Sequence, residues 1–116
     1  MKALLINSSS RSNGNTAFVL SEYERELANA GFGIERINLA HSNIKMCLGC
    51  RLCFDKGEAR CPHKDDIADI FRRIIESDLV IFGSPIYVED INGILKKFID
   101  WMAFNCHRPR FYNNFA

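Results

Sequence analysis

Ala3-Leu-Leu-Ile6, followed directly by Asn7-Ser-Ser-Ser-Arg-Ser-Asn-Gly-Asn-Thr16, is the stretch that decides the fold of this chain. Four consecutive apolar residues are typical of a parallel strand that is buried on both faces. Helical spacing of apolar residues begins at Thr16, so a loop rich in hydroxyl and amide groups joins a strand to a helix. Because a helix N-terminus has unsatisfied backbone N–H groups and partial positive charge, this loop predicts an anion site. A plain connection, capped by Asn15 or Thr16, is the alternative.

The rest of the chain continues to alternate between helix and strand patterns. The predicted elements are helices at about residues 16–30, 67–75 and 92–103, and strands at residues 33–39 and 78–82. Asp65 and Asp66 are placed to cap the second of these helices, and Gly31 stands where the first should end. Between residues 40 and 65 neither pattern is present, and so long a loop in a compact domain is usually functional. This order predicts an α/β domain with right-handed crossovers on a parallel sheet.

Length and composition limit the classes of protein to which the chain can belong. Its 116 residues, 47% hydrophobic and 25% charged, are typical of one globular domain spanning residues 1–116. A net charge of +1 with scattered basic residues argues against nucleic-acid binding. No apolar run approaches the roughly 20 residues that span a bilayer, and no secretory signal pattern precedes the first strand. We therefore expect a cytoplasmic protein that binds neither nucleic acid nor membranes.

Four of the five cysteines lie close together in the central loop, which spans about residues 41–64. A Cys-x2-Cys-x2-Cys run with a nearby Cys-Pro pair is typical of iron–sulfur ligation. We therefore predict a [4Fe-4S] cluster on this loop. Its ligands would be Cys47, Cys50, Cys53 and Cys61, the last of which precedes Pro62.

Two other states of these thiols remain open on the sequence alone. Zinc could bind the sulfurs and could take His63 as an alternative ligand. A disulfide from Cys47 to Cys50 or Cys53 would instead make the loop a redox switch. The fifth cysteine, Cys106, is expected to be a small, buried or half-buried apolar side chain near a helix end.

Three motifs, in the same order, resemble those of a known family. Ser9-Ser-Arg-Ser-Asn-Gly-Asn-Thr16 resembles the phosphate loop of the flavodoxin-like NADPH-dependent FMN reductases, whose usual form is Ser-Pro-Arg-x-x-Gly-Asn-Thr. Gly83-Ser-Pro-Ile-Tyr-Val88, followed by Asn92-Gly93, is similar to the segment that passes the flavin ring in those proteins. The spacing of the four cysteines is similar to that of the iron-sulfur flavoproteins within the family, which carry FMN and a [4Fe-4S] cluster. The resemblance covers nearly the whole chain.

The resemblance implies a fold and a set of site residues. The fold is a three-layer flavodoxin-like one, with a doubly wound parallel sheet of order 2-1-3-4-5 that binds flavin at the switch point after strands 1 and 3. The residues implied to hold the FMN phosphate are Ser9, Arg11, Ser12, Asn13, Asn15 and Thr16. Those implied to line the isoalloxazine ring are Pro85, Ile86 and Tyr87. No catalytic side chain is expected, because the flavin carries the chemistry.

The implied function is that of an FMN-binding oxidoreductase or electron-transfer flavoprotein, with NAD(P)H as an electron donor. Its partners would be a small-molecule or ferredoxin-type electron donor or acceptor, quinones included. Two alternatives remain. One is an NAD(P)H-dependent flavin or quinone reductase without a cluster, and the other is a non-enzymatic zinc or redox-switch module.

Two features depart from the family pattern. Ser10 replaces the usual proline of the phosphate loop, which leaves the loop slightly less constrained. The chain ends at Ala116, near where a fourth strand is expected, so we expect a flavodoxin-like sheet truncated after the third strand and its helix. An unpaired edge on the third strand also predicts a homo-oligomer.

Overall fold

A three-stranded parallel sheet forms the centre of the molecule, whose computed structural model describes residues 1–106 except for the side chain of Cys106. The strands are β1 (Lys2–Asn7), β2 (Gly33–Asn38) and β3 (Leu79–Gly83). The helices are α1 (Asn15–Asn29), α2 (Leu52–Lys56), α3 (Ile67–Ile75) and α4 (Gly93–Trp101). An antiparallel hairpin of β4 (Ile86–Tyr87) and β5 (Asp90–Ile91) precedes α4, and short 3₁₀ turns lie at Leu39–His41, Glu58–Arg60 and Met102–Cys106.

β1 occupies the middle of the sheet because its apolar run is suited to burial on both faces. It pairs in parallel with β2 on one side and with β3 on the other, and its residues 3–6 are fully buried. Leu4 and Ile6 pack in the larger core with α3 and α4, whereas Ala3 and Leu5 pack with Leu20 of α1. Helices therefore cover both faces of the sheet. The predicted three-layer flavodoxin-like α/β fold is confirmed, and so is the edge position of β2.

The ends of the predicted helices and strands lie within two residues of the observed ends. The prediction that residues 40–65 lack regular structure is wrong, because α2 and the Glu58–Arg60 turn lie there. The alternative of a side-chain cap from Asn15 or Thr16 is also wrong, since the N-cap of α1 is Gly14 and no side chain caps the helix. The hairpin after β3 was not predicted.

The free edge of β3 is the part of the sheet that is least covered. Among the described residues β3 pairs with β1 alone, and Phe82 near its end is 41% exposed. Residues 107–116, near whose end a fourth strand is expected to begin, lie outside the described part of the chain, and so does the side chain of Cys106. None of the helices within residues 1–106 is long and apolar enough to cross a bilayer.

Candidate cofactor sites

The loops that follow β1 and β3 meet at the C-terminal edge of the sheet. Parallel pairing places Asn7 opposite Gly83 at the ends of these strands. Beyond the sheet, the backbone N–H and the hydroxyl of Ser8 both donate to the carbonyl oxygen of Gly83, at 2.9 and 3.0 Å. β1 and β3 are neighbours in the sheet, but the chain leaves them toward opposite faces. The edge where these two strands end is therefore a switch point, the place at which open α/β sheets bind ligands.

Asn92 links these two loops to the start of α4. The side chain is 2% exposed, and its amide N–H donates to the Ser8 carbonyl oxygen at 2.8 Å. Its carbonyl oxygen accepts from the backbone N–H of Leu95 at 3.2 Å and so caps α4. The Asn92 backbone N–H donates to the Ser84 hydroxyl at 3.1 Å. Sequence reasoning did not assign a role to Asn92 or Ser8, although an asparagine before a helical pattern is a recognisable N-cap.

The phosphate loop forms an open recess of ≈ 560 Å³ that is lined by residues 10–15. Arg11, Ser12 and Asn13 are exposed there. None of the ion pairs among the described residues involves Arg11. The first turn of α1 has no acidic residue and no side-chain cap. Its backbone N–H groups and the Arg11 guanidinium are therefore available to bind an anion.

Ser9 and Gly14 shape this loop from within. Ser9 is buried, and its hydroxyl accepts a hydrogen bond of 3.2 Å from the backbone N–H of Arg11. A Cβ atom on Gly14 would lie 3.3 Å from the Cβ of Arg11, which is tighter than ordinary contact. Thr16 lies beyond the recess and lines a groove between α1 and the end of β3, next to Phe82. A phosphate contact from Ser9 and Thr16 therefore stays a prediction.

The predicted ring-binding residues lie on the hairpin that follows β3. Ile86 and Tyr87 form β4 and are 80% and 52% exposed, so their apolar surfaces are open to a ligand. Val88 and Glu89 connect β4 to β5, and both have positive φ, 50° and 64°. Such a two-residue connection matches the twist of the paired strands, but it is strained for a β-branched residue.

The two ends of the cysteine loop are joined by hydrogen bonds, which close the base of the loop. The backbone N–H of Asp66 donates to the Asn43 carbonyl oxygen at 2.9 Å, and the N–H of Asn43 donates to the Asp66 carboxylate at 2.6 Å. The Asp65 carboxylate accepts from the N–H of Lys45 at 2.8 Å and from the N–H of Ile67 at 3.1 Å. The N-cap residue of α3 is Asp66, which makes no side-chain cap and instead binds the other end of the loop, while Asp65 accepts from only the first N–H of the helix, so the predicted cap by both aspartates is wrong.

The four predicted ligand thiols line one pocket beside the C-terminal end of α4. Two of them are exposed, Cys47 and Cys50, and two are half-buried, Cys53 and Cys61. The half-buried pair packs against the core. The backbone N–H of Gly49 points to the Cys47 sulfur at 3.4 Å, and the indole N–H of Trp101 donates to the Cys61 sulfur at 3.4 Å.

Burial raises the pKa of the Cys53 thiol, and the charges of Cys47 and Cys50 raise it further, against backbone hydrogen bonds from Cys53 and Phe54 that lower it. These three thiols also line one pocket. A cation that bound them would reverse this effect, because it stabilises the thiolate form.

The alternative zinc ligands and the state of the thiols can be compared with the structure. Among the described residues no three His, Cys, Asp or Glu side chains are arranged to hold one metal ion. His63 Nε2 lies 2.9 Å from the Met46 carbonyl oxygen, so this nitrogen already has a hydrogen-bond partner. All four thiols of the loop are free.

The fold and the two loops at its switch point define a class: a flavodoxin-like α/β domain with an anion recess at the first helix and a cysteine pocket next to the last described helix. Over residues 1–116 the chain matches the model of the NADPH-dependent FMN reductases. It belongs to this family.

Two similar curated proteins are named iron-sulfur flavoproteins. An iron-sulfur flavoprotein of Archaeoglobus fulgidus is 39% identical over 109 residues, which cover 94% of this chain and 49% of that protein. The iron-sulfur flavoprotein MJ1083 of Methanocaldococcus jannaschii is 36% identical over 100 residues, or 86% of this chain and 51% of that protein. The chain thus spans about half the length of these relatives.

A solved structure supports the fold independently. The NAD(P)H:quinone oxidoreductase from Methanothermobacter marburgensis superposes with a TM-score of 0.71 at 22% identity, covering 86% of this chain and 51% of that one. At this level of identity the likeness confirms the architecture.

Proposed function

We propose that the chain binds FMN as part of an NAD(P)H-dependent oxidoreductase and carries a [4Fe-4S] cluster on its cysteine loop. The main observation in support of this proposal is that α4 contacts the candidate flavin site at one end and the cysteine pocket at the other. Asn92, at its N-cap, joins the loops of the flavin site, and Trp101, at its other end, contacts Cys61. Nine residues of α-helix extend over about 13 Å. One short, rigid element would therefore set the distance between the two cofactors.

The flavin side of the proposal rests on charge and shape. The FMN phosphate would be bound by the Arg11 guanidinium, by the side chains of Ser12 and Asn13, and by the backbone N–H groups at the start of α1. Pro85, Ile86 and Tyr87 would offer the ring an apolar edge on the neighbouring loop. When bound, FMN can accept a hydride and release its electrons one at a time. The side chains would hold and orient it.

The cluster side rests on the donor set. A [4Fe-4S] cluster takes one thiolate on each iron, so its four ligands surround it and do not converge on one point. Four free thiols line one pocket, which supplies one ligand for each iron. The closed base of the loop would hold both ends of the ligand set in place.

We further propose NAD(P)H as the electron donor, and a quinone or a ferredoxin-type protein as the acceptor. The catalytic cycle itself would need no side-chain acid or base, because hydride and electron transfer belong to the cofactors.

The first test is the composition of protein purified without oxygen. Iron, sulfide, zinc and FMN are measured together with the visible spectrum before and after dithionite. About four irons and four sulfides per chain, with a broad absorbance that bleaches, are expected. Cys53→Ser should abolish iron binding, and Cys106→Ser, outside the loop, serves as its control. FMN without iron would support the cluster-free reductase, and zinc alone would contradict the proposal.

The second test separates phosphate recognition from ring recognition. Arg11→Gln should weaken FMN binding about tenfold, because a charge-assisted hydrogen bond is lost, and should leave riboflavin binding nearly unchanged. Arg25→Gln, at an exposed arginine within α1 that pairs with Glu22, is the control. An equal loss of FMN and riboflavin binding in the Arg11 variant would contradict a phosphate contact.

A further inference from the structure

Trp101 is the last residue of α4, and it is the one tryptophan of the chain. Its side chain is 5% exposed and lies edge-on to the rings of Phe71 and Phe104, with centroids 5.5 and 5.3 Å away. Packing therefore fixes the orientation of the indole. In that orientation its Nε1–H points to the sulfur of Cys61 at 3.4 Å. Since an indole N–H can only donate, the sulfur is the acceptor.

We infer that Trp101 is a positioning residue for the [4Fe-4S] cluster, whose indole N–H donates to the sulfur of Cys61 and raises the reduction potential of the cluster. This inference rests on the proposed function. Reduction adds negative charge that is shared with the ligand sulfurs, and a hydrogen bond to a more negative acceptor is stronger. The donor therefore stabilises the reduced state more than the oxidised state, and hydrogen bonds to sulfur are among the factors that set such potentials.

Two features of the site support this role over simple packing. Cys61 is half-buried and packs against the core, so this hydrogen bond is partly shielded from water. The rings that hold Trp101 belong to α3 and to the turn after α4, and they leave the indole little freedom to turn away. A residue that only filled space here would not need a nitrogen directed at a ligand sulfur.

The test removes the N–H while it preserves the ring. Because the chain has one tryptophan, growth of a tryptophan auxotroph on 3-benzothienylalanine replaces the indole nitrogen by sulfur at position 101 alone. Trp101→Phe is a second variant without the donor. Met102→Leu is the matched control, since it changes an apolar core contact next to Trp101 and keeps the N–H and both rings that hold it. Iron and sulfide content and circular dichroism are compared in all four proteins, and the midpoint potential of the cluster is then measured.

In the two proteins without the donor, the ratio of reduced to oxidised cluster at one fixed potential is expected to fall about two- to tenfold, which is the range for loss of one hydrogen bond. The Met102→Leu protein should keep the wild-type potential. Intact clusters with equal potentials in all four proteins would overturn this inference alone. Wild-type protein that takes up no iron would overturn the proposed function and this inference with it.

Fluorescence of the iron-free protein tests the contact between Trp101 and Cys61 without the cluster. In iron-free protein, Cys61→Ala removes the acceptor and should change the intensity of Trp101 fluorescence, whereas Cys47→Ala should not. Equal emission in the wild type and both variants would contradict the contact between Trp101 and Cys61.

Discussion

The side-chain amide of Asn92 donates a hydrogen bond of 2.8 Å to the carbonyl oxygen of Ser8, a residue 84 positions earlier in the chain. The same side chain accepts from the N–H of Leu95. A primary amide has donors and an acceptor at once, so it can tie the end of β1 to the start of α4 and cap that helix. An aspartate could perform only the second task at neutral pH.

Asn92→Ala should therefore weaken both the fold and the flavin site. Loss of the cap and of a buried hydrogen bond is expected to lower the free energy of unfolding by about 2–3 kcal/mol. FMN affinity should fall about tenfold, because the two flavin loops lose their common anchor. Denaturant unfolding and FMN titration measure the two effects.

Asn38→Ala is the matched control for this substitution. The Asn38 side chain caps the turn after β2 by accepting from the N–H of Ala40 at 3.0 Å, and it contacts neither flavin loop. About 1 kcal/mol of stability should be lost with unchanged FMN affinity. If both variants weaken FMN binding equally, Asn92 has no special role in the site.

Gly83 is required where β3 meets α1. A Cβ atom at this position would lie 2.8 Å from Cδ1 and 3.0 Å from Cγ of Leu20, which is 2% exposed. Gly83→Ala should cost about 1–3 kcal/mol of unfolding free energy through overpacking. Gly93→Ala, where a Cβ would meet nothing within 4 Å, should be neutral or stabilising by up to about 1 kcal/mol. Equal unfolding midpoints for the two variants would refute the steric explanation.

The Glu35 carboxylate should make the fold sensitive to acid. Burial acts to raise its pKa, but hydrogen bonds and charges from Lys2 and Arg73, at 3.1 and 2.6 Å, outweigh burial and hold the pKa below its usual value. A carboxyl group whose pKa is lower in the folded protein than in the unfolded protein stabilises the fold at pH values above its unfolded-state pKa. This stabilisation is lost as the pH falls through the folded-state pKa. Between about pH 5 and pH 3, wild-type protein should lose about 1 kcal/mol more stability than Glu35→Gln.

Urea unfolding at a series of pH values measures this difference. Glu89→Gln, at the exposed hairpin turn, removes one carboxylate without breaking an ion pair among the described residues and is the control. Parallel pH curves for wild type and Glu35→Gln would contradict the assignment.

Substitutions in the hairpin turn should stabilise the folded protein. Val88 and Glu89 both adopt positive φ, a conformation that favours glycine and asparagine. Val88→Asn with Glu89→Gly is expected to add about 1–2 kcal/mol to the free energy of unfolding, with an unchanged denaturant m-value. Val88→Ala, which keeps a Cβ, should add less. An unchanged or lower midpoint in the double variant would show that the turn carries no strain.

Local patterns were sufficient to predict the sheet and the place of the loop that forms the recess, while anion binding there stays a prediction. The apolar run from Ala3 to Ile6 predicts a doubly buried strand, and the onset of helical spacing at Thr16 places the recess at a helix start. Both features depend on neighbouring residues only. The spacing of the cysteines likewise predicts that they share a pocket, since three of them are separated by two residues each.

Other features depend on distant partners or on very short elements. The contacts of Asn92 with Ser8 and of Trp101 with Cys61 join residues 84 and 40 positions apart, which no periodicity reveals. α2 has five residues, too few for a helical pattern. The hairpin turn has neither glycine nor asparagine at its central positions, so the usual signal of such a turn is missing.

The closed base of the cysteine loop has a consequence for how such proteins diversify. Because residues 43–45 and 65–66 are held together by hydrogen bonds, everything between them begins and ends at nearly the same place. The exposed part of this segment, around Cys47 and Cys50, can therefore change in length at little entropic cost, whereas Cys53 and Cys61 pack against the core and are held in place. A change confined to the exposed part leaves the loops that follow β1 and β3 where they are.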